Sequence, residues 1–322
     1  MNQRELAHEL TSLLQEELPG ATITITDRAT VGMSQESYFL LIHGRGDKRA
    51  AVLRRPSPAS SDRSIVTQRR ALQSLEGRGV RAPRLLFHRD DADHGLERPF
   101  FVMERIDGSV PVGWHQLAPA QRRELAEQAM RLLARLHETP WQETELSDSL
   151  AAPGAQPAVA ALEWYERRLA KARIDVPPVV EAGLWWLHRH VPEAEQTALI
   201  HNDFRMGNLV VQEGRINGVL DWEHVSVGNP AADLTWCFMP VWQDPEIELD
   251  DVLDVYEEAA GIQVDPEALA FYSALGYVRL AFYSLMGDAA FTTGRSDDLR
   301  IGALRYRLPD NFAAIAASMT GR

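Results

Sequence analysis

The residues best equipped for chemistry lie in LIHNDFRMGNLVV, residues 199–211. His201, Asp203, Arg205 and Asn208 fall between two apolar runs, where polar groups are costly to bury without partners. Asp203 and Asn208 are five positions apart, and thirteen residues after Asn208 comes Asp221, at the end of the apolar run GVL. This layout suits one carboxylate, one carboxamide and a second carboxylate around a small polar site. All three offer oxygen ligands, which favour hard Mg2+ over zinc, and Mg2+ commonly pairs with substrate phosphates. A carboxylate outside the metal shell is able to accept the proton of an attacking hydroxyl. The chemistry described is phosphoryl transfer, which depends mainly on positioning and electrostatics.

Such a set needs elements on both sides to hold it. Residues 1–18 read as a short helix stopped by Pro19-Gly20. ATITITDRA, SYFLLIHG and KRAAVLRRP then read as strands, with the turn GRGD before the third. IVTQRRALQSLEGRG has helical spacing, and RAPRLLFHRD and RPFFVMERIDG read as two more strands. The expectation for residues 1–105 is a five-stranded antiparallel sheet with one inserted helix. After DGSVPVG the pattern changes: Leu125, Ala129, Leu132, Leu133 and Leu136 share one helical face. VAALEWYERRLAKAR and VVEAGLWWLHRHV read as further helices, and the chain from Pro230 onward is largely helical. The 199–211 stretch and INGVLDWE form short strands around the turn QEGR. The fold class is therefore α+β, with an N-terminal domain over 1–105 and a mainly helical domain over 106–322.

Composition narrows the partners. The chain has 322 residues, 45% of them hydrophobic, and a formal net charge of −13. That charge argues against nonspecific binding to nucleic acid or anionic membranes. No run reads as long enough to span a bilayer, and the N-terminus lacks the apolar core of a signal peptide. The single cysteine, Cys237, sits among apolar residues and reads as a buried thiol; this fits a reducing cytoplasm. Oligomeric state leaves no mark in the sequence.

H-x-D-x-x-x-x-N followed by a strand-terminal Asp resembles the catalytic and metal loops of the protein-kinase fold. The wording HNDFRMGN, then VLDWEHVSVGNPAADLTW, resembles the aminoglycoside phosphotransferase and choline-kinase-like superfamily, and within it the acyl-CoA-dehydrogenase-associated branch. VGMSQESYFL is similar to that family's nucleotide-covering hairpin, AAVLRRP to its third strand, RPFFVMERIDG to its hinge and LLARLHETPW to its first large-lobe helix.

The resemblance implies a bilobal kinase-like fold and transfer of phosphate from ATP or GTP, with Mg2+, to the hydroxyl of a small molecule. It implies Asp203 as the catalytic base, His201 as a brace of the loop and Arg205 as a cation for the transferring phosphate. Asn208 and Asp221 would hold Mg2+, with Glu223 beside them, and Asp233 would anchor the loop backbone. Gly32, Ser34 and Ser37 would cover the nucleotide phosphates. Glu104 to Ile106 would meet the adenine edge, with Met103 behind it. The acceptor would lie between the helical lobe and the acidic segment 244–258.

Two positions depart from the family pattern. Arg54 stands where a phosphate-binding Lys is usual, and its fork still suits phosphate oxygens. Gln68 stands where an acidic partner for that cation is expected, so Arg54 requires another brace, for instance Asp62 or Glu36. These departures motivate an alternative: a catalytically silent kinase-like protein that binds a nucleotide or metabolite. GRGDKR lacks the third glycine of a dinucleotide fingerprint and precedes a strand, and no phosphate-binding G-x-x-x-x-G-K-[ST] occurs. His188 and His190 are two apart on a helix and point to different faces, which argues against a metal pair. Trp164, Trp185, Trp186 and Trp242 read chiefly as core.

Overall fold

The computed structural model describes residues 2–29, 35–44, 46–57, 62–111, 117–150, 154, 156–193, 196–241 and 247–320. Along the chain the elements are α1 (Gln3–Glu17), β1 (Thr22–Arg28), β2 (Gln35–His43), β3 (Lys48–Pro56), α2 (Asp62–Leu75), β4 (Leu85–Arg89) and β5 (Phe100–Glu104). Then come α3 (Pro119–His137), α4 (Pro157–Ala172), α5 (Pro178–Arg189), β6 (Ala198–Ile200), β7 (Leu209–Gln212), β8 (Arg215–Val219) and β9 (Ser226–Gly228). The remainder is helical: α6 (Ala231–Cys237), α7 (Leu253–Ala260), α8 (Pro266–Thr292), α9 (Leu299–Gly302) and α10 (Leu308–Thr320). The chain forms two compact units, and each draws on separate stretches of sequence. Unit 1 comprises Met1–Val112, Thr139–Ala151 and Gly207–Val225; unit 2 comprises Gly113–Glu138, Ala152–Met206 and Ser226–Arg322.

Unit 1 is built on an antiparallel sheet of order β1-β2-β3-β5-β4. α1 starts at a capping box: the Asn2 side chain accepts from the Glu5 backbone, and Glu5 reaches back to the Asn2 N–H. Its Leu6, Leu10, Leu13 and Leu14 join Tyr38, Leu40, Ile42, Leu53 and Phe100 in one core. The β2–β3 register matters most for the site. It sets Ser37 opposite Arg54 and Glu36 opposite Arg55, and alternation sends the two pairs to opposite faces.

Unit 2 packs α4, α5 and α10 against α8. α8 begins at the Asp265 cap, with Pro266 in its first turn, where the missing N–H costs nothing. Gly183 lets α5 approach closely: a Cβ there would stand 2.8 Å from Ile315 and 3.3 Å from Val278. Two sequence readings need correction in this unit. α8 is long and apolar enough to cross a membrane by length and composition, whereas no such run was expected. It is mostly buried, and it is apolar on every side because other helices surround it. Trp185 is 63% exposed and so is not core, its ring carrying the Arg189 guanidinium at 5.0 Å. Trp164 is only partly buried, Trp186 packs at the core's edge, and Trp242 lies outside the described residues.

Candidate active site

The loop of unit 2 that carries Asp203 is fixed at both ends. Before it, β6 pairs antiparallel with β9, with Ile200 opposite Ser226. β9 was not foreseen; its three residues are too short for a periodicity to show. At Asn202 the backbone turns left-handed, with φ of 60°. Fully buried Asp233, in the first turn of α6, secures this turn. It accepts the His201 N–H on Oδ2 and the Asn202 N–H on Oδ1, both at 2.7 Å. His137 Nε2 lies 3.3 Å from Oδ2 and its Nδ1 is 2.8 Å from the Tyr256 hydroxyl. A carboxylate only accepts, so His137 carries its proton on Nε2 and takes the Tyr256 hydrogen on Nδ1.

Asp203 follows directly. Its N–H donates to His201 Nδ1 at 3.2 Å, and His201 is wholly buried. Its Oδ1 accepts the Trp236 indole N–H at 2.8 Å and lies 3.4 Å from Arg205 Nε. Burial by itself pushes the Asp203 carboxyl up. The charges of Arg205 and Arg279, the nearby His201 and the Trp236 hydrogen bond outweigh it and hold the group below the ordinary Asp range. The structure thus brings His201, Asp203 and Arg205 together within unit 2.

Unit 1 holds a second group. The β7–β8 hairpin pairs Leu209 with Val219, and the Leu220 N–H donates to the Asn208 carbonyl at 2.8 Å. Buried Asn208 therefore stands across the open end of the hairpin from Leu220, next to Asp221. Asp221 is left-handed, with φ of 67°, a conformation that costs a non-glycine residue about 1–3 kcal/mol and persists only where its surroundings impose it. The Trp222 indole, bonded to the Val219 carbonyl at 2.8 Å, locks the turn that follows. The Glu223 side chain is mostly buried, with His224 Nε2 at 3.7 Å.

Arg54 reaches this hairpin from β3. Nε donates to Gln35 Oε1 at 2.9 Å, Nη1 to Ser37 Oγ at 3.1 Å and Nη2 to Asp221 Oδ1 at 3.0 Å. The braces are thus Gln35, Ser37 and Asp221, not Asp62 or Glu36. Glu36 faces the other side of β2 and pairs with Arg28 and Arg55, while Asp62 pairs with Arg98. Gln68 is buried, and its Nε2 has no hydrogen-bond partner among the described residues.

Met103 and Glu104 end β5. The N–H groups of Glu104 and Arg105 are committed to the carbonyls of Arg84 and Ala50, at 2.9 and 3.2 Å. The Glu104 carboxylate also accepts the Arg84 N–H at 2.9 Å. Ile106 packs over Gly218, where a Cβ would come within 2.3 Å of its Cδ1. Gly32 and Ser34 lie outside the described residues, while Ser37 lies on β2 opposite Arg54.

Among the described residues no cluster of three or more His, Cys, Asp and Glu gathers as for a metal. His188 bonds Glu166 at 2.9 Å, and His190 stacks on Trp186 at 3.9 Å. Cys237 is buried, and burial pushes its thiol well up. Gln35 in unit 1, and Trp236, His137 and Arg279 in unit 2, join these two groups without having been singled out in the sequence. Trp236 follows Asp233 by one helical turn, a spacing that puts both on one face. Arg279 interrupts the apolar run SALGYVRLAFYSLM, and a lone charge there was a signal in its own right.

Comparison with known proteins defines the class. The profile of the Phosphotransferase enzyme family matches residues 28–272, and the chain belongs to that family. Among solved structures, a "putative aminoglycoside phosphotransferase" from Ralstonia eutropha superposes with a TM-score of 0.82 at 20% identity, covering 98% of each chain. Aminoglycoside phosphotransferase APH(4)-Ia, solved in a ternary complex with ADP and hygromycin B, gives a TM-score of 0.65 at 16% identity over 97% of this chain and 98% of its own. The shared fold is the protein-kinase-like α+β fold of phosphotransferases. Acyl-CoA dehydrogenase family member 11 of Gallus gallus is 27% identical over 297 residues, 82% of this chain. The chain spans only 36% of that relative's length and 19% of that of acyl-CoA dehydrogenase family member 10 from Mus musculus.

Proposed function

We propose that this phosphotransferase moves the terminal phosphoryl group of ATP or GTP to the hydroxyl of a small molecule. The observation that carries the proposal is Asp203: a carboxylate kept ionised, oriented through Oδ1 by Trp236, on a loop whose backbone is clamped by Asp233. ADP and a small-molecule acceptor together on the fold relative APH(4)-Ia support the same chemistry.

In the reaction the acceptor oxygen attacks the γ-phosphorus. A new P–O bond forms, the bond to the β–γ bridging oxygen breaks, and the nucleoside diphosphate leaves. Asp203 takes the hydroxyl proton as the attack proceeds. Arg205, beside it, meets charge on the transferring group, and His201 keeps the loop in shape through the Asp203 N–H. Asn208 follows Asp203 by five residues, a span of at most about 18 Å even when extended. On the donor side, Arg54 and Ser37 bind phosphate oxygens, with Gly32 and Ser34 completing the cover. The Glu104 and Arg105 N–H groups are already committed to Arg84 and Ala50, so within Glu104 to Ile106 the remaining backbone groups would meet the adenine edge, with Met103 behind it.

Asn208, Asp221 and Glu223 fit Mg2+ by donor type, being oxygen ligands without sulfur or nitrogen. Mg2+ there would neutralise charge on the nucleotide phosphates. Asp221 pairs with Arg54, and nucleotide phosphates would compete for that guanidinium while Mg2+ would compete for the carboxylate.

The same Arg54–Asp221 pair favours the second reading, a catalytically silent binding protein, if it never opens. Thermal unfolding with Mg2+ and ATP or GTP, followed by nucleotide consumption over a panel of hydroxyl compounds, separates the two. Nucleotide at a hundred times its Kd should stabilise the protein by about 2.7 kcal/mol. Stabilisation with turnover supports the phosphotransferase; no stabilisation at millimolar nucleotide rejects it and favours the silent protein that binds a metabolite.

A further inference from the structure

Arg279 sits on α8, 6% exposed, with no carboxylate within ion-pair distance among the described residues. Burying a guanidinium costs several kcal/mol, which good geometry must offset. Its contacts converge on one place. Nη1 donates to Asn202 Oδ1 at 2.9 Å, and the guanidinium carbon lies 3.8 Å from the centre of the Trp236 ring. Asn202 is the residue before Asp203, and Trp236 is the indole that holds the Asp203 carboxylate. Tyr283 covers the guanidinium at 5.6 Å. Arg279 Nε is buried without a hydrogen-bond partner, so hydrogen bonding alone does not explain the residue.

We propose that Arg279 is a positioning residue for Asp203: it grips Asn202 and Trp236 together and so sets the orientation and charge of the carboxylate between them. The proposal rests on Asp203 being the base of the reaction. Stacking on Trp236 fixes the indole plane, and the indole N–H fixes Oδ1. The bond to Asn202 holds the left-handed turn that aims the next side chain. The groups that bear on the charge of Asp203 are Arg205 and His201 on its own loop, Trp236 on α6 and Arg279 on α8; those that bear on Arg279 are Tyr165, Tyr283 and Asp203. Arg205 lies partly exposed and is screened by solvent, whereas Arg279 is enclosed, so its influence on Asp203 is the more durable.

The test needs neither nucleotide nor acceptor. The Trp236 indole N–H resonance, identified by its loss in Trp236→Phe, reports whether Asp203 is ionised. In the native protein it should stay flat from about pH 8 to about pH 5, because the carboxyl titrates below its ordinary range. In Arg279→Met an inflection should enter that window, and Arg279→Lys, which restores the charge, should move it back out. A flat resonance in folded Arg279→Met would overturn the proposal. If Arg279→Met does not fold, Arg279→Gln carries the same test. Collapse of both neutral variants would assign Arg279 to the fold rather than to Asp203, and would overturn it too. Failure to bind nucleotide, by contrast, leaves this titration untouched and counts against the proposed function alone.

Discussion

Asp233 and Asp221 both open a helical turn, yet they are held in opposite ways. Asp233 is fully buried and takes two backbone N–H groups and a histidine, partners that belong to the fold. The Asp221 side chain is 31% exposed and pairs with the Arg54 guanidinium, a side-chain partner that Gln35 and Ser37 also hold. The first arrangement fixes a loop; the second is a partly exposed ion pair between two side chains.

The variants that probe this contrast fall in order of effect. Asp203→Ala removes the base while leaving both supports intact; kcat should fall about 10²–10⁴-fold with an unchanged nucleotide KM, as steady-state kinetics would show. Retention of full activity would remove Asp203 from the mechanism. Asp233→Asn turns one acceptor into a donor that meets a backbone N–H. Urea unfolding should show a loss of about 3 kcal/mol, far more than Asp221→Asn produces. Equal losses at the two positions would erase the distinction between them. Arg54→Ala should raise the nucleotide KM about tenfold and change stability by less than about 0.5 kcal/mol, since its ion pair is partly solvated.

The pH dependence of Asp203 has a definite sign. A carboxyl whose folded pKa lies below its unfolded value adds stability that is complete above the unfolded value and disappears as pH falls through the folded one. For Asp203 that window lies below the ordinary 3.8. Acid unfolding of the wild type and Asp203→Asn should therefore diverge as pH rises from that window, and the acid limb of kcat/KM should not fall near pH 5. The smallest effect is at Gln68. Gln68→Met removes a buried amide whose Nε2 has no hydrogen-bond partner among the described residues, and should raise stability by about 1 kcal/mol in thermal unfolding. A loss there would mean that the carboxamide has work to do.

Much of this was legible because it is local. Strand alternation placed Ser37 and Arg54 on paired strands, and the spacing of His201, Asp203, Asn208 and Asp221 marked the loops before any coordinates. What escaped depends on contacts between residues distant in sequence. Gln35 replaces a carboxylate because it lies on the same face of β2 as Ser37, a register no single strand discloses. β9 exists only because β6 pairs with it. His137 and Trp236 find the loop through packing of α3 and α6, and the membership of residues 207–225 in unit 1 has no linear signature at all.

α8 has a consequence for how the chain is made. It emerges from the ribosome before α10, which packs along it, so for roughly 1–6 s at 5–20 residues per second that flank has no cover. Arg279 stands at the midpoint of Pro266–Thr292, where a charge raises the cost of entering a bilayer by about 2.5–3.5 kcal/mol. The residue that stacks on Trp236 in the folded chain is thus also the one that makes this helix a poorer membrane segment than its apolar length suggests.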